Sequence, residues 1–177
     1  MTRDESALRF SFEPGRGLAG DPDRRQFRNA LGRYPTGVAI ATCLGPDGRA
    51  LGITINSFAS VSLDPPLILW SIETRSSAAS AFANSPRFAI SVLGEHQEGI
   101  ARAFAWPEGD PFAKVAHEPG LCGIPLMTGA LASFECRREA VHPGGDHLIL
   151  VGQVECFAYR SGRPLAFHEG VFLGLCP

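Results

Sequence analysis

Short neutral polar side chains crowd one strand-like stretch of the sequence, GITINSFASVSLDPP, at residues 52–66. They are Thr54, Asn56, Ser57, Ser60 and Ser62. A solvated strand face usually carries longer charged groups, and a buried strand carries few hydroxyls. Hydroxyl and amide groups donate and accept hydrogen bonds without adding charge. The stretch therefore predicts a surface for a polar ligand that lies close to the backbone.

A second polar group, Thr74-Arg75-Ser76-Ser77, precedes a short helix predicted over residues 77–85. A basic side chain and hydroxyls at a helix amino terminus, where backbone N–H groups point outward, describe a phosphate site. The same residues also describe an ordinary capped helix. Both interpretations stay open at this point.

His147 follows Gly145 and Asp146 at the predicted start of a strand. This arrangement fits plain turn chemistry, and it equally fits an imidazole aimed at a ligand. His142 and His147 with Asp146 form a weak candidate metal site, because they lie across a Gly-Gly turn without a further ligand. We therefore expect no metal. The sequence also has no G-x-S-x-G nucleophile motif and no H-E-x-x-H zinc motif.

The segment GRGLAG at residues 15–20 matches a dinucleotide-binding fingerprint. We reject that interpretation because Asp21 and Asp23 follow at once and would place negative charge where a pyrophosphate must bind.

The hydrophobic pattern predicts about seven strands and three short helices. Residues 1–20 are expected to form a flexible arm, and residues 21–177 a single domain. A helix is expected from Asp21, with others at 77–85 and 95–105, and an irregular loop at 106–128. The predicted strands are residues 38–44, 50–56, 67–72, 88–93, 129–141, 147–160 and 164–175. Successive strands joined by turns favour a mainly β, antiparallel sheet or barrel with helices at its edges.

Bulk properties exclude several classes of protein. The chain has 177 residues and a net charge of −2, which argues against nucleic acid as a partner. No window is apolar enough to span a membrane, and no secretory signal is present, so a cytoplasmic location is expected. The five cysteines include no C-x-x-C pair. Cys43, Cys136 and Cys156 lie in strand-like runs and are expected to act as small apolar residues.

The order of the motifs resembles the flavin reductase-like domain family, which has an FMN-binding split β-barrel fold. The resemblance runs from about Phe27 to Leu175. It is carried by FRNALGRYPTGVAIAT, GITINSFASVSLDPPLILWSI, the serine pair with SPRFAISVL, ARAFA, GALASFEC, GGDHLILVGQV and PLAFHEG. The family includes reductase components of two-component flavin-dependent monooxygenases.

The resemblance implies roles for particular residues. The residues implied to contact the flavin are Gly52, Ile53, Thr54, Asn56, Ser57, Ser71, Arg75, Ser76, Ser77 and Phe104. His147 resembles the catalytic-site histidine at the nicotinamide side, where we expect it to position or gate the nicotinamide. Phe167, His168 and Gly170 match a segment that contacts the nicotinamide nucleotide, and His168 stands where many members have tyrosine.

The implied activity is hydride transfer from NADH or NADPH to free FMN or FAD, with the reduced flavin passed to a separate monooxygenase. A homodimer is implied as well. The alternative is a flavin-binding electron carrier or storage protein without nicotinamide turnover. His147 and the PLAFHEG segment weigh against that alternative, because a carrier needs no nicotinamide site.

Overall fold

The computed structural model describes residues 21–175 and divides the chain into two units, Met1–Tyr34 and Pro35–Pro177. In the first unit, helix α1 spans Asp21–Leu31, which confirms the helix predicted there. The predicted arm at residues 1–20 and the GRGLAG segment lie outside the described residues. No helix within residues 21–175 is long and apolar enough to cross a membrane.

The second unit is built mainly of antiparallel strands, as the hydrophobic pattern predicts. Its helices are α2 (Ala79–Asn84) and α3 (Glu98–Ala105). Its strands are β1 (Thr36–Gly37), β2 (Ala39–Leu44), β3 (Ala50–Ile55), β4 (Ala59–Leu63), β5 (Pro66–Glu73), β6 (Arg87–Val92), β7 (His117–Pro119), β8 (Pro125–Met127), β9 (Ala132–Gly144), β10 (His147–Tyr159), β11 (Leu165–His168) and β12 (Val171–Gly174).

A seven-stranded sheet in the order β3-β2-β6-β9-β10-β5-β4 forms the body of this unit. Strands β1, β11 and β12 form a three-stranded sheet, and β7 pairs with β8. Every pairing between these strands is antiparallel. The predicted fold class, mainly β with short helices, is therefore confirmed.

Strand β2 is buried on both faces because its apolar run separates two cores. Ala41 and Cys43 pack with Trp70 and Phe88 in one cluster. Val38, just before β2, and Ile40 pack in the other cluster with Leu93, Phe104 and Leu165. Successive side chains of a strand point to opposite faces, so one short apolar segment serves both cores.

The Gly-Gly turn between the strands predicted at residues 129–141 and 147–160 joins β9 and β10 as a hairpin, with His147 opposite Gly144 in their register. Gly145 and Asp146 form the turn, and Gly145 has a φ of 68°, a conformation that favours glycine. A two-residue loop with glycine first is typical of tight hairpins. The turn therefore fixes His147 as the first residue of β10.

Several predicted boundaries were wrong. The loop at residues 106–128 contains the hairpin of β7 and β8. Residues 164–175 form two strands instead of one, because the chain reverses at Glu169 and Gly170, where φ is 48° and 85°. Residues 52–66 also contain a strand that was not predicted: β3 ends at Ile55, and β4 spans Ala59–Leu63 before β5 begins at Pro66.

The cysteines are free in the described part of the chain. Cys43 and Cys136 are buried, and burial raises the pKa of each thiol to about 12. Both behave as the predicted small apolar residues. Cys156 was expected to do the same but is exposed, because the end of β10 from Glu155 onward lies at the surface.

Candidate functional site

A cleft of about 560 Å³ lies where β3 and β5 end, beside the turn that follows β5. The side chains that line it come from three segments and one hairpin. They are Ile53, Thr54, Ile55, Asn56, Ser57, Ser71, Ile72, Glu73, Arg75, Ser76, Ser77 and His147. Two polar groups that are separate in the sequence thus meet in this cleft, together with the histidine at the start of β10.

Hydroxyl groups from the polar stretch hold the wall of the cleft in place. The Thr54 hydroxyl donates a hydrogen bond to the carbonyl of Ala101 in α3, at 2.6 Å. The Ser57 hydroxyl donates to the carbonyl of Ser71 and accepts from the Ser71 N–H, both at 3.0 Å. These bonds tie the end of β3 to α3 and β5, so both hydroxyls are already used in part by the protein.

Asn56 differs from these two residues because its side chain is exposed and makes no hydrogen bond with the part of the chain that is described. Its amide offers an acceptor oxygen and two N–H donors to the cleft. Asn56 follows directly on β3, whose pairing with β2 along its whole length fixes the position of its end. The residue is therefore a fixed, neutral donor and acceptor.

Charged groups gather at the end of β5. The Arg75 guanidinium binds the Glu73 carboxylate through two hydrogen bonds, Nε to Oε2 at 2.7 Å and Nη2 to Oε1 at 3.2 Å. The hydrogen bond from Arg75 lowers the pKa of Glu73, with further contributions from the charges of Arg75 and His147. Glu73 is therefore ionised at neutral pH, so the cleft holds a carboxylate directly beside the Arg75 guanidinium.

The turn after β5 is pinned to the β9–β10 hairpin. The backbone N–H and the hydroxyl of Thr74 both donate to the carbonyl of Asp146, at 2.9 and 3.0 Å. Glu73 and His147 are direct partners in the β5–β10 register. These contacts hold the segment at residues 73–77 and the imidazole of His147 at a fixed separation.

The imidazole of His147 is itself oriented by its neighbour. Its Nδ1 lies 2.7 Å from Oδ1 of Asp146. A carboxylate can only accept hydrogen bonds, so Nδ1 carries the proton in this contact. In the neutral ring, Nε2 is then an acceptor that a ligand in the cleft can use.

A smaller cleft of about 180 Å³ adjoins the first and shares Thr54, Ile55 and Asn56 with it. The remaining lining is mostly aromatic and aliphatic: Val38, Ala105, Trp106, Phe167 and Phe172. The Phe167 and Phe172 rings lie 5.3 Å apart, and the Arg102 guanidinium lies 5.2 Å from the Phe172 ring centre. A polar ligand with one apolar end is thus matched by the two clefts together.

The large cleft brings together nine of the residues predicted from sequence. They are Ile53, Thr54, Asn56, Ser57, Ser71, Arg75, Ser76, Ser77 and His147. Phe167 lines the smaller cleft. Gly52, Phe104, His168 and Gly170 line neither of the two.

Gly52 and Phe104 lie behind the wall of the cleft. Phe104 is buried, and a Cβ atom added at Gly52 would come within 2.5 Å of its ring. Glycine here allows β3 to lie directly on Phe104. Gly170 occupies the β11–β12 turn, where its positive φ explains the residue type.

Sequence reasoning missed Glu73 and the aromatic residues Trp106 and Phe172. Glu73 stands two positions before Arg75, and that spacing is a signal of an ion pair. Trp106 and Phe172 carry no local signal, because only the packing of α3 against the β11–β12 hairpin region makes them neighbours. No group of three or more metal-ligating side chains occurs within residues 21–175.

The sequence profile of the flavin reductase like domain matches residues 31–175. An FMN reductase (NADH), SmoA, from Agrobacterium fabrum is 47% identical over 155 residues, covering 88% of each chain. The reductase component of a flavin-dependent trigonelline monooxygenase from Acinetobacter baylyi is 41% identical over 148 residues. That match covers 84% of this chain but 48% of the relative.

Among solved structures, the NADH:FAD oxidoreductase SgcE6 of Streptomyces globisporus, in complex with NAD and FAD fragments, superposes with a TM-score of 0.84. It is 36% identical, and the match covers 92% of this chain and 98% of that one.

Proposed function

The chain belongs to the flavin reductase-like domain family, and we propose that its large cleft binds a flavin for reduction by a nicotinamide nucleotide. The protein is an NAD(P)H-dependent flavin oxidoreductase, like the FMN and FAD reductases it resembles. The observation that carries the site proposal is the meeting of Asn56, the segment at residues 73–77 and His147 in one cleft.

The residues present fit a flavin nucleotide. Asn56 offers neutral donors and an acceptor for the polar edge of the ring, and the apolar lining of the adjoining cleft suits a hydrophobic edge. Arg75 supplies a cation, and Ser76 and Ser77 supply hydroxyls, for a phosphate. A flavin bound there supplies the acceptor atom for a hydride from nicotinamide.

The protein's own part in the reaction is to bind and orient, because the cofactors carry the chemistry. Holding two reactants in contact converts a bimolecular encounter into a unimolecular step. In well-oriented model reactions this lowers the activation free energy by up to about 7–11 kcal/mol. The walls tied by Thr54 and Ser57 keep one ring in place. His147, held by Asp146, positions the nicotinamide through Nε2 and is not required as an acid.

The reduced flavin goes on to a separate monooxygenase. Support for this step comes from the trigonelline monooxygenase reductase component among the relatives. A supplier of reduced flavin must release its product, and the open cleft with its exposed Arg75 suits a ligand that comes and goes.

We also infer a homodimer. Val171 and Leu173 of β12, an edge strand of the three-stranded sheet, expose apolar side chains to solvent, as do Phe157 and Tyr159 of β10. Exposed apolar groups of this size favour burial against a partner. Light scattering on the purified protein should give twice the chain mass of 18.9 kDa.

The activity is tested by following NADH and NADPH oxidation by the purified protein with and without added FMN or FAD. We expect oxidation to require added flavin, to saturate with it, and to continue for many turnovers per protein. A protein that retains yellow flavin without oxidising either nucleotide would instead be an electron carrier.

A further inference from the structure

The Glu73–Arg75 ion pair lies within the cleft itself, beside Ser76, Ser77 and His147. It occupies two N–H groups of the guanidinium, at 2.7 and 3.2 Å. The Arg75 side chain is 82% exposed and that of Glu73 is 42% exposed. The arginine is therefore accessible to a ligand, but its hydrogen-bonding fork is directed at an acid of the same chain.

A phosphate group that binds the Nε–Nη2 side of Arg75 must displace this carboxylate. Guanidinium binds carboxylates and phosphates through the same pair of parallel N–H groups. A phosphate monoester also carries about −1.5 to −2 charge at neutral pH and is repelled by Glu73. Both effects weaken binding of the phosphate group, and neither changes the contacts available to the flavin ring.

We propose that Glu73 sets the affinity for phosphate-bearing flavins by competing with the phosphate for Arg75, which keeps the flavin a dissociable substrate. This inference rests on the proposed flavin site. It gives Glu73 a role that differs from that of the residues that contact the ring. When a flavin leaves, Glu73 takes back the guanidinium, so release does not leave Arg75 without a counter-ion.

The size of the effect follows from the exposure of the pair. Exposed ion pairs change an equilibrium constant by a factor of about 1.5 to 5. Loss of the repulsion adds to this, so removal of the Glu73 charge should tighten FMN binding by about three- to ten-fold at low salt. Riboflavin, which lacks the phosphate, should bind with the same affinity to within about two-fold.

The test compares Glu73→Gln with the matched control Glu139→Gln. Glu139 also forms an exposed pair with an arginine, Arg137, at 3.0 Å, but it lies on β9 and does not line the cleft. Both variants remove one negative charge. Titrations with FMN and with riboflavin, followed by flavin fluorescence, should show a lower ratio of FMN to riboflavin dissociation constants in Glu73→Gln alone.

A double-mutant cycle identifies the mechanism. In an Arg75→Gln background the competition no longer exists, so Glu73→Gln should improve FMN binding by a clearly smaller factor than in the wild type. An equal factor in both backgrounds would overturn the competition, because it would mean that Glu73 acts on the phosphate alone.

An FMN-to-riboflavin ratio that is unchanged or raised by Glu73→Gln would also overturn this inference, while wild-type flavin binding would still support the site. Failure of the wild type to bind either flavin would overturn the site and the inference together. Repeating the series with Glu73→Ala guards against a residual hydrogen bond from Arg75 to the amide oxygen of the glutamine.

Discussion

Nδ1 of His147, the first residue of β10, lies 2.7 Å from Oδ1 of the preceding residue, Asp146. Because the carbonyl of the same Asp146 accepts two hydrogen bonds from Thr74, the histidine and the segment at residues 73–77 share one anchor. The sides of the cleft proposed for the nicotinamide and for the phosphate are therefore joined through the two-residue turn Gly145–Asp146.

Replacing His147 by alanine should raise the apparent KM for the nicotinamide nucleotide about ten-fold, with a smaller change in kcat, because it removes a positioning hydrogen bond. Steady-state kinetics at saturating flavin measure both constants. His142→Ala, on an exposed part of β9, is the control and should leave both unchanged. Complete loss of turnover with intact flavin binding would show that the imidazole is needed for the chemical step.

Replacing Arg75 by glutamine should weaken FMN binding about ten-fold and leave riboflavin binding unchanged, because only FMN offers a phosphate to the guanidinium. Fluorescence titration measures both. Arg137→Gln, which removes an exposed arginine outside the cleft, is the control. Equal weakening for the two flavins would mean that Arg75 supports the fold of the turn and does not bind phosphate.

Replacing Gly52 by alanine should destabilise the fold by about 1–3 kcal/mol, because the new methyl group would overlap the Phe104 ring. Flavin affinity should fall as well, since β3 forms a wall of the cleft. Gly99→Ala provides the comparison: Gly99 lies in α3 with open space around it, and alanine there should be neutral or stabilising by up to about 1 kcal/mol. Urea unfolding distinguishes the two variants, and equal stability would contradict the close approach of β3 to Phe104.

Thiol reactivity should divide the cysteines into two classes. Burial raises the pKa of Cys43 and Cys136 to about 12, so at pH 8 almost no thiolate exists at either position. Exposed Cys122 and Cys156 should be alkylated first. Peptide mapping after brief treatment with iodoacetamide measures the difference, and early labelling of Cys43 would show that its strand opens readily.

Because of the same two thiols, we expect the free energy of unfolding to decrease at high pH. Their pKa values are raised in the folded state, so the stability they contribute is complete below about pH 9 and is lost as the pH rises toward 12. Unfolding midpoints measured in urea between pH 8 and 11 should fall. Cys43→Ala should fall less steeply than wild type over this range, and parallel slopes would contradict the assignment.

The sequence allowed the strands and much of the cleft to be predicted because both depend on local chemistry. The apolar run of β2 and the Gly145–Asp146 turn are visible without long-range information. Asn56 and Arg75 stood out by residue type in segments that are short and well bounded. Phe104, by contrast, was assigned to the flavin from the resemblance alone, and its position behind Gly52 depends on how α3 packs on β3.

What could not be predicted depends on register between distant strands. Glu73 is placed opposite His147 by the β5–β10 pairing, and neither residue indicates the other in the sequence. Phe172 reaches the smaller cleft only because residues 164–175 form a hairpin, where a single strand was predicted. The positive φ at Glu169 is the cause, and a non-glycine residue gives little warning of it.

The proposed reaction requires this protein to hold nicotinamide and flavin together for hydride transfer. The most direct test is an anaerobic mixing experiment in which NADH is added to FMN with and without the protein. We predict rapid bleaching of the yellow flavin absorbance, one FMN for each NADH consumed, only when the protein is present. Flavin that binds to the protein but stays yellow in the presence of excess NADH and NADPH would show that the protein does not catalyse this hydride transfer.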